Sequence, residues 1–136
     1  MKKIVVVGAT GRLGRVVVGG LNDYEVVRAG RSGPDLKIDA LDFESVSDVF
    51  ASIGTFDGLI SCIGGTPFKT FEELTMEDFA LGLSKKCFSQ LNLAKAAIPY
   101  LTENGSITLT SGIIGDEPIL AGSCAAAANG ALNMCV

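Results

Sequence analysis

The chain has 136 residues, of which 48% are hydrophobic and 19% charged, with a formal net charge of −4 and no histidine. This length predicts a single domain with enough apolar residues for a core, and the mildly acidic balance argues against a nucleic-acid partner. The absence of histidine excludes Ser-His-Asp and Cys-His nucleophiles and nearly all zinc enzymes, so we expect no metal site.

Neither a membrane segment nor a secretion signal is apparent. No apolar run approaches the ~18 residues of a membrane span, and the apolar run near the N-terminus is too short for a signal peptide. We therefore expect a cytoplasmic protein without a membrane partner. The four cysteines, at positions 62, 87, 124 and 135, form no C-x-x-C pair. In that compartment they are expected to pack as small apolar side chains rather than form disulfides or bind metal.

The chain opens with a buried strand and a glycine-rich turn. Residues 4–7 are all β-branched, which is typical of a strand covered on both faces in a parallel sheet. Gly8 allows a sharp turn, Gly11 lets a pyrophosphate approach the backbone, and Gly14 lets the following helix pack closely. The backbone N–H groups at that helix N-terminus favour an anion. An ordinary βα turn is the alternative interpretation, and the clean buried strand argues against it.

Strands and helices alternate along the remaining chain. Further strands are predicted over residues 24–29, 36–38, 56–63 and 106–111, and helices over 13–21, 43–53, 72–83, 85–101 and 122–136. Asp42 or Ser45 is expected to cap the second helix and Thr75 the third. The long helix over 85–101 is expected to stop near Gly105.

This alternation predicts an α/β fold, a Rossmann-type doubly wound parallel sheet with strand order 3-2-1-4-5. Residues 1–136 would form one NAD(P)-binding domain. The last helical pattern runs up to Val136 without a stop signal, so we expect a domain truncated at its C-terminus.

The end of the second strand distinguishes between dinucleotide cofactors. An acid there would bind the ribose 2′-hydroxyl of NAD, whereas a basic residue would accommodate the 2′-phosphate of NADP. Arg31 and Ser32 occupy this position, and Arg12 adds a positive charge nearby, so NADP is favoured over NAD. Asp35 is the one acid that could compete, but its place after Pro34 favours the start of the third strand. A solvated loop arginine is the alternative interpretation of Arg31.

Two further segments are placed to contact the cofactor. Asp39, at the end of the third strand, can accept a hydrogen bond from an adenine amino group, or it can be a capping or loop carboxylate. Ile63 and Gly64 follow the fourth strand and would let the backbone approach a ribose. A plain turn is the alternative there.

Together these residues resemble the short-chain dehydrogenase/reductase superfamily, with residues 8–14 matching its glycine-rich motif in the form G-x-x-G-x-x-G. The resemblance implies an NADP-dependent oxidoreductase that transfers a hydride between nicotinamide and a small carbonyl or alcohol substrate. The long helix over 85–101 resembles the family's interface helix, which implies a homodimer or homotetramer. The implied cofactor-binding residues are Gly8, Thr10, Gly11, Arg12, Leu13, Gly14, Arg31, Ser32, Asp39, Ile63 and Gly64.

The sequence departs from the family at the residues that transfer the proton. Ala125 stands where the resemblance places the catalytic Tyr, and Asn129 stands where it places the Lys. Ser111, or else Gly112, matches the family's Ser, and Lys86 falls near its Asn. Ser111 and Lys86 are therefore the candidate catalytic residues. A serine bonding locally at a strand end and a solvated helix lysine are the alternatives.

Two functions remain open from the sequence. One is an oxidoreductase with an unusual or incomplete active site. The other is a catalytically inactive NADP-binding or redox-sensing protein, which the residues at 125 and 129 favour. A methyltransferase on a similar sheet is less well supported, because it would want an acid where Gly30 and Arg31 stand.

Overall fold

A computed structural model describes residues 1–136, in which five parallel strands form one sheet in the order β3-β2-β1-β4-β5. The predicted parallel α/β fold and strand order are therefore confirmed. The strands are β1 (Lys3–Val7), β2 (Glu25–Gly30), β3 (Leu36–Lys37), β4 (Phe56–Ser61) and β5 (Leu101–Thr108). The α-helices are α1 (Arg12–Gly20), α2 (Phe43–Ile53), α3 (Met76–Gly82), α4 (Ser89–Ala97) and α5 (Ser123–Cys135).

The centre of the sheet is buried because β1 is apolar from Ile4 to Val7. Val5, Val6 and Val7 of β1 are each at most 1% exposed, as a strand covered on both faces must be. The main apolar cluster joins β1 and β4 to α2 and α4. Within it, the rings of Phe50 and Phe56 meet edge to face, with centroids 5.4 Å apart. This packing holds β1 and β4 against α2 and α4.

The predicted helix caps of α2 and α3 are present. Asp42 accepts hydrogen bonds from the amides of Glu44 and Ser45 at the start of α2. Thr75 forms a capping box with Asp78, in which each side chain accepts from the other residue's amide. Such caps satisfy amides that have no partner within the helix.

The prediction of one continuous helix over residues 85–101 is wrong. A π-helix over Leu83–Phe88 connects α3 to α4, and a 3₁₀ turn over Ile98–Tyr100 ends the helical segment. The following strand begins at Leu101, five residues before the predicted start, and includes the predicted helix stop. The pairing of β4 with β5 is irregular here, since Phe56 pairs with Leu101 but Gly58 pairs with Ser106. The polar Glu103-Asn104-Gly105 segment is thus accommodated as a bulge in a strand.

All four cysteines are free thiols, and Cys87 and Cys124 are buried as expected. Cys62 is half-buried and Cys135 is exposed, so the expectation of packed apolar thiols fails for Cys135. None of the helices combines the length and the apolar character needed to cross a bilayer.

Candidate functional site

A cavity of about 450 Å³ opens at the carboxyl edge of the sheet, across β1, β2 and β4. We call it the edge cavity. It falls within the volume range of small-molecule sites in proteins. Of the residues implied as cofactor-binding, it is lined by Gly8, Thr10, Gly11, Arg31, Ser32, Asp39, Ile63 and Gly64. The other three, Arg12, Leu13 and Gly14, lie in the first turn of α1 and do not line it.

The glycine-rich turn is shaped by contacts that no larger residue permits. Gly8 has φ +82°, and a Cβ there would lie 2.7 Å from Cγ2 of Ile63. A Cβ on Gly14 would lie 2.0 Å from the Gly8 carbonyl oxygen, so α1 can approach the turn only with glycine at this position. The turn therefore brings bare backbone to the wall of the edge cavity, as a pyrophosphate site requires.

The N-terminus of α1 carries free hydrogen-bond donors. Gly11 is the N-cap residue and provides no side-chain cap. The first amide of the helix with a backbone acceptor is that of Arg15, which donates to the Gly11 carbonyl at 3.0 Å. The amides of residues 12–14 remain available, and the helix dipole favours an anion beside them.

The segment after β2 brings a positively charged side chain to the site. Arg31 and Ser32 are exposed and line the edge cavity. Asp35, the acid that could have competed, is held by Arg28, with 2.7 Å between Nη2 and Oδ1 and 3.1 Å between Nε and Oδ2. Hydrogen bonds from the Arg28 side chain and amide lower the pKa of the Asp35 carboxyl. The carboxylate is therefore engaged away from the cavity.

Asp39 makes the local loop contact that was one of its two interpretations from the sequence. Its Oδ1 accepts a hydrogen bond from the Leu41 amide at 3.0 Å, which is a local loop contact. The residue is nevertheless exposed and lines the edge cavity. The second carboxylate oxygen has no protein partner, so it can accept from a ligand.

Lys86 contacts the segment after β4 without lining the edge cavity. Gly64 has φ +122°, and a Cβ there would lie 2.5 Å from Cδ of Lys86. Lys86 is half-buried, and this burial lowers the pKa of its ammonium group. Lys86 is therefore not a fully solvated helix lysine. Its neighbour Lys85, which we did not single out from the sequence, is exposed and lines the cavity.

Ser111, Asn129 and Ala125 do not line the edge cavity. Ser111 follows the end of β5, and its Oγ donates to the Asn129 carbonyl over a long 3.4 Å. Asn129 is buried on α5, and its Oδ1 has no hydrogen-bond partner. Ala125 is also buried. The two positions that the resemblance aligns with the family's Tyr and Lys thus hold buried side chains that cannot exchange a proton.

Gln90 connects the two candidate catalytic segments, and the sequence reasoning missed it. This fully buried side chain donates to the carbonyls of Lys86 and Thr110, at 2.7 and 2.8 Å, and accepts from the Thr110 amide at 2.8 Å. It thereby joins the π-helix to the residue before Ser111. The sequence feature that could have indicated this role is a glutamine within an apolar helical pattern.

Two cavity residues with a hydroxyl or thiol side chain were also missed. Ser89 lines the edge cavity with Lys85, four residues earlier, and its Oγ donates to the Lys85 carbonyl at 2.6 Å. Their i,i+4 spacing on one helix face could have shown them together. Cys62 lines the cavity directly after β4. Nowhere do three His, Cys, Asp or Glu side chains come close enough to hold a metal ion.

Comparison with solved structures shows the same architecture in longer chains. The protein lin1944 from Listeria innocua superposes with a TM-score of 0.94 at 37% identity, over 98% of this chain and 68% of that one. A small-chain dehydrogenase superposes with a TM-score of 0.90 at 28% identity, over 98% of this chain and 69% of that one. A further small-chain dehydrogenase, solved in complex with NADPH, superposes with a TM-score of 0.89 at 28% identity, over 98% of this chain and 61% of that one. No functionally curated protein matches the sequence.

The family comparison agrees with these structures. A family model described as enoyl-(acyl carrier protein) reductase matches residues 22–136, most of the chain. The match extends from β2 through α5 and so includes both the segment after β2 and the divergent segment around Asn129. The glycine-rich turn, the strand order and these matches all agree. The chain belongs to the short-chain dehydrogenase/reductase superfamily.

Proposed function

We propose that the edge cavity binds NADP(H) and that the chain is an NADP-dependent oxidoreductase of the short-chain type, acting on a carbonyl or alcohol substrate. The observation that carries this proposal is the convergence of the glycine-rich turn with Arg31 and Ser32 on one cavity. The NADPH bound to a relative of 28% identity also supports it.

The residues fit the parts of such a cofactor by charge and shape. Gly11, the N-cap of α1, lines the edge cavity, and the amides that follow it at the helix N-terminus favour a diphosphate beside it. Arg31 and Ser32 offer a guanidinium fork and a hydroxyl to a 2′-phosphate. Asp39 has an oxygen free for an adenine amino group. With Asp35 paired to Arg28, no acid of this segment competes for the ribose hydroxyl that NAD would present.

Replacing Arg31 with Ala tests the cofactor assignment. The variant loses the guanidinium that would face the 2′-phosphate, so NADPH affinity is expected to fall by roughly tenfold or more while NADH affinity changes little. Fluorescence titration with both cofactors measures this. Equal losses for the two cofactors would remove the assignment to NADP, and no binding of either by the wild type, even at millimolar concentration, would remove the whole proposal.

When bound, nicotinamide supplies or accepts the hydride, and the chain must then handle a proton at the substrate oxygen. Ser111 has a hydroxyl that can hydrogen-bond this oxygen. Lys86 has an ammonium group that gives up its proton more readily than an ordinary lysine, because burial lowers its pKa. General acid help of this kind contributes about 10²–10⁴-fold in rate.

A second function, a non-catalytic NADP-binding or redox-sensing protein, is favoured by one specific observation. Ala125 and Asn129 are both buried at the positions of the family's Tyr and Lys. Oxidation of NADPH against a panel of aldehydes, ketones and quinones separates the two functions. Turnover that Ser111→Ala abolishes would establish the enzyme. Tight NADPH binding without turnover of any compound would establish the sensor.

A further inference from the structure

The ion pair between Arg28 and Asp35 closes the segment that carries Arg31 and Ser32. Arg28 lies on β2, and Asp35 lies directly before β3. Besides the two side-chain contacts, the Arg28 amide donates to Oδ2 of Asp35 at 2.8 Å, and the Asp35 amide returns a bond to the Arg28 carbonyl at 3.0 Å. Both carboxylate oxygens are therefore occupied by Arg28.

The pair lies beside the edge cavity but outside it. Neither Arg28 nor Asp35 lines the cavity, whereas Arg31 and Ser32, within the same closed segment, do. An uncompensated carboxylate this close to the end of β2 would repel a phosphate group and would offer an acceptor to a ribose hydroxyl. Both effects would shift the selectivity from NADP towards NAD.

We propose that Arg28 is a specificity-determining residue, which pairs with Asp35 and so keeps its carboxylate from the 2′ position of the cofactor. This inference rests on the proposed binding of NADP(H) in the edge cavity. Selectivity would then depend on two arginines with different roles. Arg31 faces the 2′-phosphate, and Arg28 neutralises the acid that would otherwise oppose it.

The test is a comparison of NADPH and NADH dissociation constants for the wild type, Arg28→Met and Arg28→Met/Asp35→Asn. Arg28→Met removes the guanidinium and leaves the carboxylate only the backbone amide of residue 28, so its charge is no longer compensated. We expect the preference for NADPH over NADH to fall about tenfold. The double variant removes that carboxylate, so most of the preference should return. A purely structural role of the pair would not give this recovery.

Arg15→Met is the matched control, because Arg15 is an exposed arginine on α1 that makes no ion pair and does not line the cavity. It should leave the preference unchanged. Arg28→Lys keeps the charge but loses the two-pronged geometry. It should give a loss smaller than that of Arg28→Met, and it provides the test if Arg28→Met does not fold.

Two results would overturn the inference while leaving NADP(H) binding intact. In the first, folded Arg28→Met keeps the wild-type preference for NADPH. In the second, Arg28→Met/Asp35→Asn is as impaired as Arg28→Met, so that the carboxylate is not the cause. A wild type that binds neither cofactor, or that prefers NADH, would instead overturn the proposed function itself, and the inference with it.

Discussion

The two halves of the chain build the same fold with different regularity. Residues 1–65 contain β1 to β4 with even parallel pairing, and they supply nearly the whole wall of the edge cavity. Residues 66–136 contain a π-helix, a bulged strand and a buried asparagine with an unpaired oxygen. Irregular elements of these kinds concentrate at functional sites. The first half thus forms the edge cavity for which we propose a cofactor, and the second half carries the irregular elements, including the positions that the resemblance aligns with the family's catalytic residues.

The largest expected effect comes from Gly14→Ala in the regular half. The added Cβ would lie 2.0 Å from the Gly8 carbonyl oxygen, so α1 must move away from the turn. We expect the free energy of unfolding to fall by about 2–4 kcal/mol and NADPH binding to be lost. Denaturant titration and cofactor fluorescence measure the two effects.

The control for this prediction is the same substitution at Gly19, on the same helix, where a Cβ would meet nothing within 4 Å. Gly19→Ala should raise stability by up to about 1 kcal/mol, because alanine favours a helix more than glycine does. Equal free energies of unfolding for the two variants would mean that the close packing of Gly14 against Gly8 does not contribute to stability.

An intermediate effect is expected from Gln90→Leu in the irregular half. This change removes three buried hydrogen bonds and leaves the Thr110 amide without a partner. The expected loss of unfolding free energy is about 2–3 kcal/mol. Asn92→Leu, which removes one hydrogen bond to the Ala40 carbonyl, is the control and should lose about 1 kcal/mol. Equal losses would mean that Gln90 does not connect the two segments as its contacts indicate.

The smallest effect is a pH dependence at Lys86. Burial lowers its pKa from 10.5, so the unfolded chain holds more protons than the folded one between the lowered value and 10.5. Stability from this group therefore rises with pH across that window. Lys86→Met has no ammonium group to bury, so it should be more stable than the wild type at pH 7, with the difference narrowing towards pH 10.5.

The comparison of the two proteins isolates Lys86 from other groups. Burial raises the pKa values of the Cys62, Cys87 and Cys124 thiols, which opposes the lysine effect in alkaline solution but is common to both proteins. Lys85→Met controls for the loss of one positive charge. A constant stability difference between wild type and Lys86→Met at all pH values would contradict the prediction.

Much of the first half could be predicted because its signals are local. A β-branched run, glycines at positions 8, 11 and 14, and Asp42 before α2 each specify their own conformation. The start of β5 could not be predicted in this way, since Glu103, Asn104 and Gly105 are typical of a turn. Pairing with β4, distant in sequence, decides their structure.

The site shows the same division between local and distant causes. Most residues of the edge cavity could be predicted because they come directly after strands, and the hydrophobic pattern of the sequence locates the ends of those strands. The pairing of Arg28 with Asp35 and the bonds of Gln90 to Thr110 depend on how the segments meet in space. A hydrophobic pattern over only six residues does not distinguish the π-helix at Leu83–Phe88 from an α-helix.

The π-helical segment also preserves the rotational phase of the helices on either side of it. A π-helix accommodates one more residue per hydrogen-bonded turn than an α-helix, and each residue of an α-helix advances by about 100° around the axis. Deleting one residue from Leu83–Phe88 would thus permit an unbroken α-helix with little change in the phase of α3 relative to α4, because the wider π-helical turn accommodates that residue. Inserting or deleting one residue within α4 would instead turn the side chains on either side of it by about 100° relative to one another, and so change which of them meet the cavity beside Ser89.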